Sequence, residues 1–197
     1  TAKIKVLITK AAELLLKYVL LAFSIPYAFE PKYIVFKYIS KISSLSNCFS
    51  ILIDKIIEAG HKAPTGCNYQ PQRILVLNTD EAISKLRSCT KCHFNAPTAM
   101  LVCHNKEESW VRKYDGALSS PVDAVIVTTY MMLAAQNEGV GTCWVMHFDP
   151  AAMRESYNIP NNIEPIALLV MGYPSDDAMP LDLHFKNRPK AETIFFV

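Results

Sequence analysis

Gly139-Val140-Gly141-Thr142-Cys143-Trp144-Val145-Met146-His147 is an apolar, β-prone run opened by glycine, and the residues in front of it decide the fold. Immediately upstream stands the best-defined helical pattern in the chain. Ser120 precedes Pro121 at the first helical position, Asp123 is placed to complete a capping box, and Gly139 supplies the stop. Its predicted apolar face carries Val122, Val125, Ile126, Met132 and Leu133. A strand is expected over residues 140–146, then a short helix opened by Asp149 and Pro150, then a strand over 166–171. Working the other way, Ser50 can cap a helix carrying Ile51, Leu52, Ile53, Ile56 and Ile57 that stops at Gly60. Residues 73–77 read as a strand, Thr79 or Asp80 caps a helix reaching about Leu86, and residues 98–103 form a second apolar strand. Helices and strands alternate without internal repeats, which implies a layered α/β or α+β domain. The apolar stretch 193–197 is suited to pairing with an edge strand of this chain or of another subunit.

Composition narrows the function classes. The 197 residues are 51% hydrophobic and 19% charged, enough for a packed core and too apolar for disorder. A formal net charge of +2, with no basic run longer than a pair, gives no nucleic-acid surface. Six cysteines scattered through a chain of this size read as reduced thiols of a cytoplasmic protein. The longest charge-free apolar stretch near the start, residues 18–29, is too short to span a membrane. Residues 1–49 differ from the rest: seven Lys and two Glu, no Arg, Asp or Gly, hence a net charge of +5 against −3 for the remainder. Within this arm residues 10–22 read as a helix apolar nearly all round.

Three segments could carry chemistry. Cys89-Thr90-Lys91-Cys92-His93 has the spacing of a covalent haem site, but haem attachment requires export and a second axial ligand. A zinc site would recruit Cys89, Cys92, Cys103 and His104, yet neighbours on a strand face opposite ways. The plainer reading is a helix-to-strand connection, and no metal is expected. Ala63-Pro64-Thr65-Gly66-Cys67-Asn68-Tyr69-Gln70-Pro71-Gln72-Arg73 is a loop stiffened by two prolines, with Thr65, Asn68 and Gln70 able to read the edge of a planar heterocycle. Residues 139–147 place backbone amides at a strand end, able to point into a cleft. His61, His147 and His184 lie far apart, no G-x-S-x-G turn exists, and neither a G-x-G-x-x-G nor a P-loop follows a predicted strand.

These segments, in this order, resemble the FMN-dependent nitroreductase family. The matching text is Glu58-Ala59-Gly60-His61-Lys62-Ala63-Pro64-Thr65 leading to Asn68-Tyr69-Gln70-Pro71. It continues with Met132-Leu133-Ala134-Ala135, Gly139-Val140-Gly141-Thr142-Cys143-Trp144, Ile159-Pro160, Glu164-Pro165 and Met171-Gly172-Tyr173-Pro174. The likeness spans about residues 50–190. It implies an α+β fold with a central mixed β-sheet flanked by helices, and an intertwined homodimer whose C-terminal segment extends onto the partner. Residues 50–197 would then be the FMN-binding domain and residues 1–49 an atypical N-terminal arm.

The resemblance further implies that Pro64, Thr65, Gly66, Cys67 and Asn68 contact the flavin from one subunit, with Gln70 supporting the loop. Trp144, Val145, Met146 and His147 would line the ring from the other, an amide of Met146 or His147 approaching flavin N5. Lys186 and Arg188 would face the phosphate. One departure stands out: the family's N-terminal arginine clamp is missing, since no Arg precedes Arg73, and Lys32 and Lys37 lack the bidentate fork that would replace it. The implied activity is ping-pong transfer of reducing equivalents from NAD(P)H to a nitroaromatic, quinone or flavin, with no side chain assigned as a catalytic acid or base. Trp110 and Tyr114, in residues 106–119, occupy the segment that lids the pocket in the family. The alternative is a flavin-binding or flavin-sensing protein without turnover.

Overall fold

Because the strand Thr98–Asn105 is buried at all eight positions, both faces of its sheet need a covering layer, and the chain supplies one on each side. A computed structural model describes residues 39–40, 47–174 and 185–197, all within the compact unit Tyr33–Val197. The elements are β1 (Ile39–Ser40), α1 (Asn47–His61), β2 (Gln72–Leu77), α2 (Asp80–Cys89), β3 (Thr98–Asn105), α3 (Ser120–Asn137), β4 (Gly141–Val145), α4 (Pro150–Tyr157) and β5 (Ile163–Pro174). β5 is the spine: β3 pairs along one side of it, β4 along the other, β1 meets its end, and β2 pairs with β3.

Alternation on β3 divides the core. Ala99, Leu101 and Cys103 face a layer built from α2 and α4, where Leu86 and Met153 are fully buried. Met100 and Val102 face α1 and α3 and pack with Ile56, Val127 and Met131. Removing a fully buried leucine or methionine from either layer costs on the order of 2–5 kcal/mol. The result is an α+β sandwich of helices, sheet and helices.

Every pairing among the described strands is antiparallel, which corrects the mixed sheet expected above. The reason lies in where the helical excursions end. Leu77 pairs with Ala99 and Val145 with Leu168, so α2 and α4 each return the chain to the end of the sheet it left. α3, by contrast, carries the chain back across and delivers β4 to the far side of β5, where β3 and β4 never touch.

Several boundaries move for physical reasons. α1 starts before Ser50 and runs through Gly60. That glycine is no stop: a Cβ there would lie 2.7 Å from Met131 Cγ, so its bareness permits close packing against α3. α2 continues to Cys89 because Leu86 and Cys89 both belong to its buried face. β5 and β3 are longer than expected, and β4 is shorter. α4 opens as anticipated, with Asp149 Oδ1 accepting from the Ala151 and Ala152 amides.

α3 departs most. Beyond its first turn the buried residues are Ala124, Val127, Thr128, Met131 and Ala135, whereas Val122, Val125 and Leu133 are exposed. Three of the five residues of the expected apolar face therefore look outward, while Ile126 and Met132 are partly buried against the core. A helix apolar on both sides gives periodicity little to choose between, and the sheet takes the side with small residues. Residues 193–197 form no strand among the described residues; Phe195 and Phe196 stand in solvent. The expected helix over 10–22, and Lys32 and Lys37, lie outside the described residues.

Candidate functional site

The loop after α1 leaves Ala63 buried in the core and turns through residues whose backbone is unusual for side-chain-bearing positions. Cys67, Asn68 and Gln70 all have positive φ, at 47°, 59° and 52°. Such conformations persist where surroundings enforce them. Here the Gln70 amide donates to Thr65 Oγ1 at 3.1 Å, and the Asn68 amide donates to the Thr65 carbonyl at 3.0 Å. Beyond the loop, the Asn105 amide donates to the Pro71 carbonyl at 2.8 Å, fastening the exit to the end of β3. The side chains of Cys67, Asn68 and Gln70 are left exposed on the loop surface.

The loop is seated on the start of α3. The Gly66 amide donates to Asp123 Oδ1 at 2.8 Å, and Ser119 Oγ donates to Asp123 Oδ2, also at 2.8 Å. Asp123 is buried, and its carboxylate serves the loop instead of closing the capping box expected with Ser120. The residue capping α3 is Ser119, whose side chain makes no cap hydrogen bond, while the Ser120 amide donates to Ser109 Oγ. A Cβ on Gly66 would lie 2.7 Å from Ser119 Oγ and 3.4 Å from Trp110 Cβ. The glycine thus lets loop, helix and the Trp110 segment meet.

Beneath this junction lies concentrated polarity. Gln72 Oε1, His104 Nδ1 and Ser120 Oγ are buried without a hydrogen-bond partner among the described residues. Gln72 and His104 are register partners on β2 and β3, and Ser120 opens α3. Unsatisfied buried polar groups are rare in native folds, and three at one place single out this end of the sheet. Burial holds the pKa of His104 below the ordinary histidine value, with Lys106 acting in the same direction and Glu164 and Asp123 opposing it.

The second segment leaves β4 at Val145. Trp144 is partly buried, Val145 buried, and Met146 and His147 exposed. Among the described residues neither the Met146 nor the His147 amide donates within the chain. These are oriented, free N–H groups at a strand end, the kind of donor that a ligand acceptor or developing anion requires.

β3 and β4 run the same way, so this exit and the 63–71 loop lie at the same end of the sheet. They leave from opposite sides, however: β2 and β4 are separated by β3 and β5, or about 14 Å at the usual strand spacing. Within one copy of the chain the two segments therefore adjoin strands that are not neighbours. Lys186 and Arg188 lie on the exposed C-terminal segment, where Arg188 stands 3.8 Å from Glu192. Residues 106–119 fold back on themselves through a Val111–Leu118 bridge and the Arg112–Asp115 ion pair, presenting an exposed Tyr114. His184 lies outside the described residues.

The cysteine segment holds no ligand cluster: among the described residues, no group of three or more His, Cys, Asp or Glu side chains is placed to hold a metal ion. Cys103 points into the α2–α4 layer, where burial pushes its thiol up to about 12, while His104 faces the opposite side of β3. No described helix is long and apolar enough to cross a membrane.

A solved nitroreductase family protein from Clostridium difficile 630 is 34% identical to this chain, covers 84% of it and is itself covered over 94%, with a TM-score of 0.75. The chain belongs to the nitroreductase family. The model of that family matches residues 90–173. A curated relative from Archaeoglobus fulgidus, provisionally named as a NADH dehydrogenase/NAD(P)H nitroreductase, is 28% identical over 138 residues, covering 64% of this chain and 74% of the relative. An FMN-dependent nitroreductase from Clostridium difficile, 20% identical with a TM-score of 0.64 over 84% of this chain and 95% of that one, shares the fold. As a member of the nitroreductase family, this protein is an oxidoreductase.

Two contributors to the site escaped the sequence. Asp123 was read as a helix cap, and nothing in its local pattern shows that it holds Gly66, 57 positions away. Thr90, inside the cysteine motif, is buried and bonded to the exit of β4. Its only sequence signal was a small hydroxyl residue at a helix C-terminus.

Proposed function

We propose that this nitroreductase-family chain is an FMN-dependent enzyme that moves reducing equivalents from NAD(P)H to a small organic acceptor, a nitroaromatic, quinone or flavin, by ping-pong turnover in a homodimer. The observation that carries this reading is the division of the site: a rigid polar loop and a pair of free amides leave the same sheet end on opposite sides. A second copy brings one against the other. The outer face of α3, with Val122, Val125 and Leu133 exposed, offers an apolar surface for that copy. The C-terminal segment, with Ile194, Phe195 and Phe196 exposed, suits an arm laid on the partner.

The donor set fits a flavin. Pro64, Thr65, Gly66, Cys67 and Asn68 would hold one edge of the ring, with Gln70 bracing the loop, and Trp144, Val145, Met146 and His147 would line the other. The free His147 or Met146 amide would donate near N5, and Lys186 and Arg188 would face the phosphate, Lys as a point charge and Arg as a fork. FMN, when bound, supplies the electron-transfer chemistry itself. The chain's residues bind and orient the ring, keep one face open, and let Trp110 and Tyr114 cover the substrate. Both substrates would use that face in turn, which makes the kinetics ping-pong.

The test is a visible absorption spectrum of the purified protein mixed with FMN, followed by anaerobic NADPH. A flavin band that co-purifies and bleaches rapidly supports the enzyme. Tight binding with a band that persists supports a flavin-sensing protein instead, and no binding at all overturns the reading.

A further inference from the structure

Cys89-Thr90-Lys91-Cys92-His93 holds neither a described metal cluster nor an exposed reactive pair, yet it is bonded to the segment with the free amides. Thr90 is buried and its hydroxyl works in both directions: Oγ1 donates to the His147 carbonyl at 2.5 Å and accepts from the Cys92 amide at 2.9 Å. One residue earlier, the Cys89 carbonyl accepts from the Asp149 amide at 2.9 Å.

Peptide planarity passes this grip along the chain. Fixing the His147 carbonyl fixes the plane of the 147–148 peptide, and therefore the direction of the Phe148 N–H. That N–H donates to the Met146 carbonyl at 3.1 Å, which fixes the 146–147 plane in turn. In a trans peptide the N–H points opposite to the C=O, so the free His147 N–H is aimed by two linked planes whose outer anchor is Thr90.

We propose that Thr90 is a positioning residue that sets the direction of the His147 amide toward the flavin site. The inference rests on the proposed FMN reading for its target, although the anchoring itself does not. Preorganised donors contribute because they need no reorganisation when the ligand arrives. A hydroxyl at position 90 supplies that order while leaving the amide free.

The experiment compares wild type, Thr90→Val and Thr90→Ser, with Ile83→Val as a control elsewhere in the same α2–α4 layer. Amide hydrogen exchange is measured on flavin-free protein, and FMN affinity by quenching of flavin fluorescence. Thr90→Val is expected to speed exchange of the Phe148 and Asp149 amides and to weaken FMN binding about tenfold, a loss of one hydrogen bond's order. Thr90→Ser, which keeps the hydroxyl, restores both, and Ile83→Val changes neither. Unchanged exchange in Thr90→Val overturns the anchoring, and unchanged FMN affinity overturns its role in aiming the amide. Failure of Thr90→Ser to rescue also overturns the proposal, because it assigns the effect to packing. A wild type that binds no FMN refutes the proposed function and the flavin target together, while the exchange comparison still decides the anchoring.

Discussion

The Gly66 amide donates to Asp123 Oδ1 at 2.8 Å, so the first turn of α3 holds the loop that precedes β2. The same carboxylate accepts from Ser119 Oγ, which leaves neither oxygen idle. Replacing Asp123 by Ala strands two donors in a partly buried place, at about 1–3 kcal/mol each at most. Asn retains one acceptor oxygen and should fall between. The expected order of melting temperature and of FMN affinity is wild type, Asp123→Asn, Asp123→Ala. Equal melting curves for all three would remove the claim that this carboxylate seats the loop.

Gly66 and Gly60 both make close approaches, but their neighbours differ in what they can yield. A Cβ at Gly66 meets Ser119 Oγ and Cβ at 2.7 and 3.0 Å, and Ser119 is tied to Asp123. A Cβ at Gly60 meets the Met131 thioether, whose flexible chain can re-pack. Gly66→Ala should therefore weaken FMN binding by about tenfold or more, the equivalent of about 1.4 kcal/mol. Gly60→Ala should cost stability with little effect on binding. Titration with FMN and thermal melts of the two variants separate these outcomes, and the reverse pattern would contradict the packing described.

The main strands, the layered α/β or α+β character and the loop motif were legible because β3, β4 and the Pro64–Pro71 loop carry strong local chemistry: apolar runs, a glycine-opened strand and fixed proline torsions. What local pattern could not show was which side of α3 meets the sheet. Val122 and Leu133 are as apolar as Val127 and Met131, and only tertiary contact distinguishes them. The same limit hid Gly60, read as a stop when its bareness serves α3, and Asp123, whose partner is distant in sequence. Sheet direction was equally invisible, since it depends on which end of the sheet each helix returns to.

His104 makes stability sensitive to mild acid. Burial keeps its folded-state pKa below the ordinary value, so the unfolded chain binds the proton more readily once the pH falls below about 6.5. Stability is thus full above about pH 6.5 and is lost as the pH drops through the depressed folded value. His93 is depressed in the same direction, again chiefly by burial, and adds to the slope. Chemical denaturation between pH 7 and 5 should show the decline, and His104→Phe should reduce it. An unaltered slope in that variant would mean that His104 is not the sensitive group.

Thiol chemistry should follow burial. Cys67 is exposed on the loop, whereas burial pushes Cys103 up to about 12 and Cys143 up to about 11. Alkylation of the native protein near neutral pH, read by peptide mass, should mark Cys67 first and spare Cys103 and Cys143. The raised values also set an alkaline sign. The unfolded thiols ionise from about pH 8.5, so the native state retains protons that the unfolded chain releases. Stability is intact below that pH and falls as it rises toward the folded values. Early labelling of Cys103 would show that the α2–α4 layer opens far more readily than its packing implies.

Leu133 lies on the outer face of α3 with Val122 and Val125, and all three are exposed. The inner face of the same helix is already filled by the sheet and α1, so this outer row adds nothing to the core of a lone chain. Burying a leucine is worth about 1.5–3 kcal/mol, and a symmetric contact counts the residue twice. Lysine at that place would instead set a charge in the interface, at a cost to association and almost none to the isolated fold. Wild type is expected to sediment as a dimer and Leu133→Lys as a monomer with an unchanged circular dichroism spectrum. On the proposed division of the flavin site between two copies, the monomer should lose FMN affinity as well. A monomeric variant that still binds FMN normally would show that one chain completes the site, and a variant that remains dimeric would place the interface elsewhere.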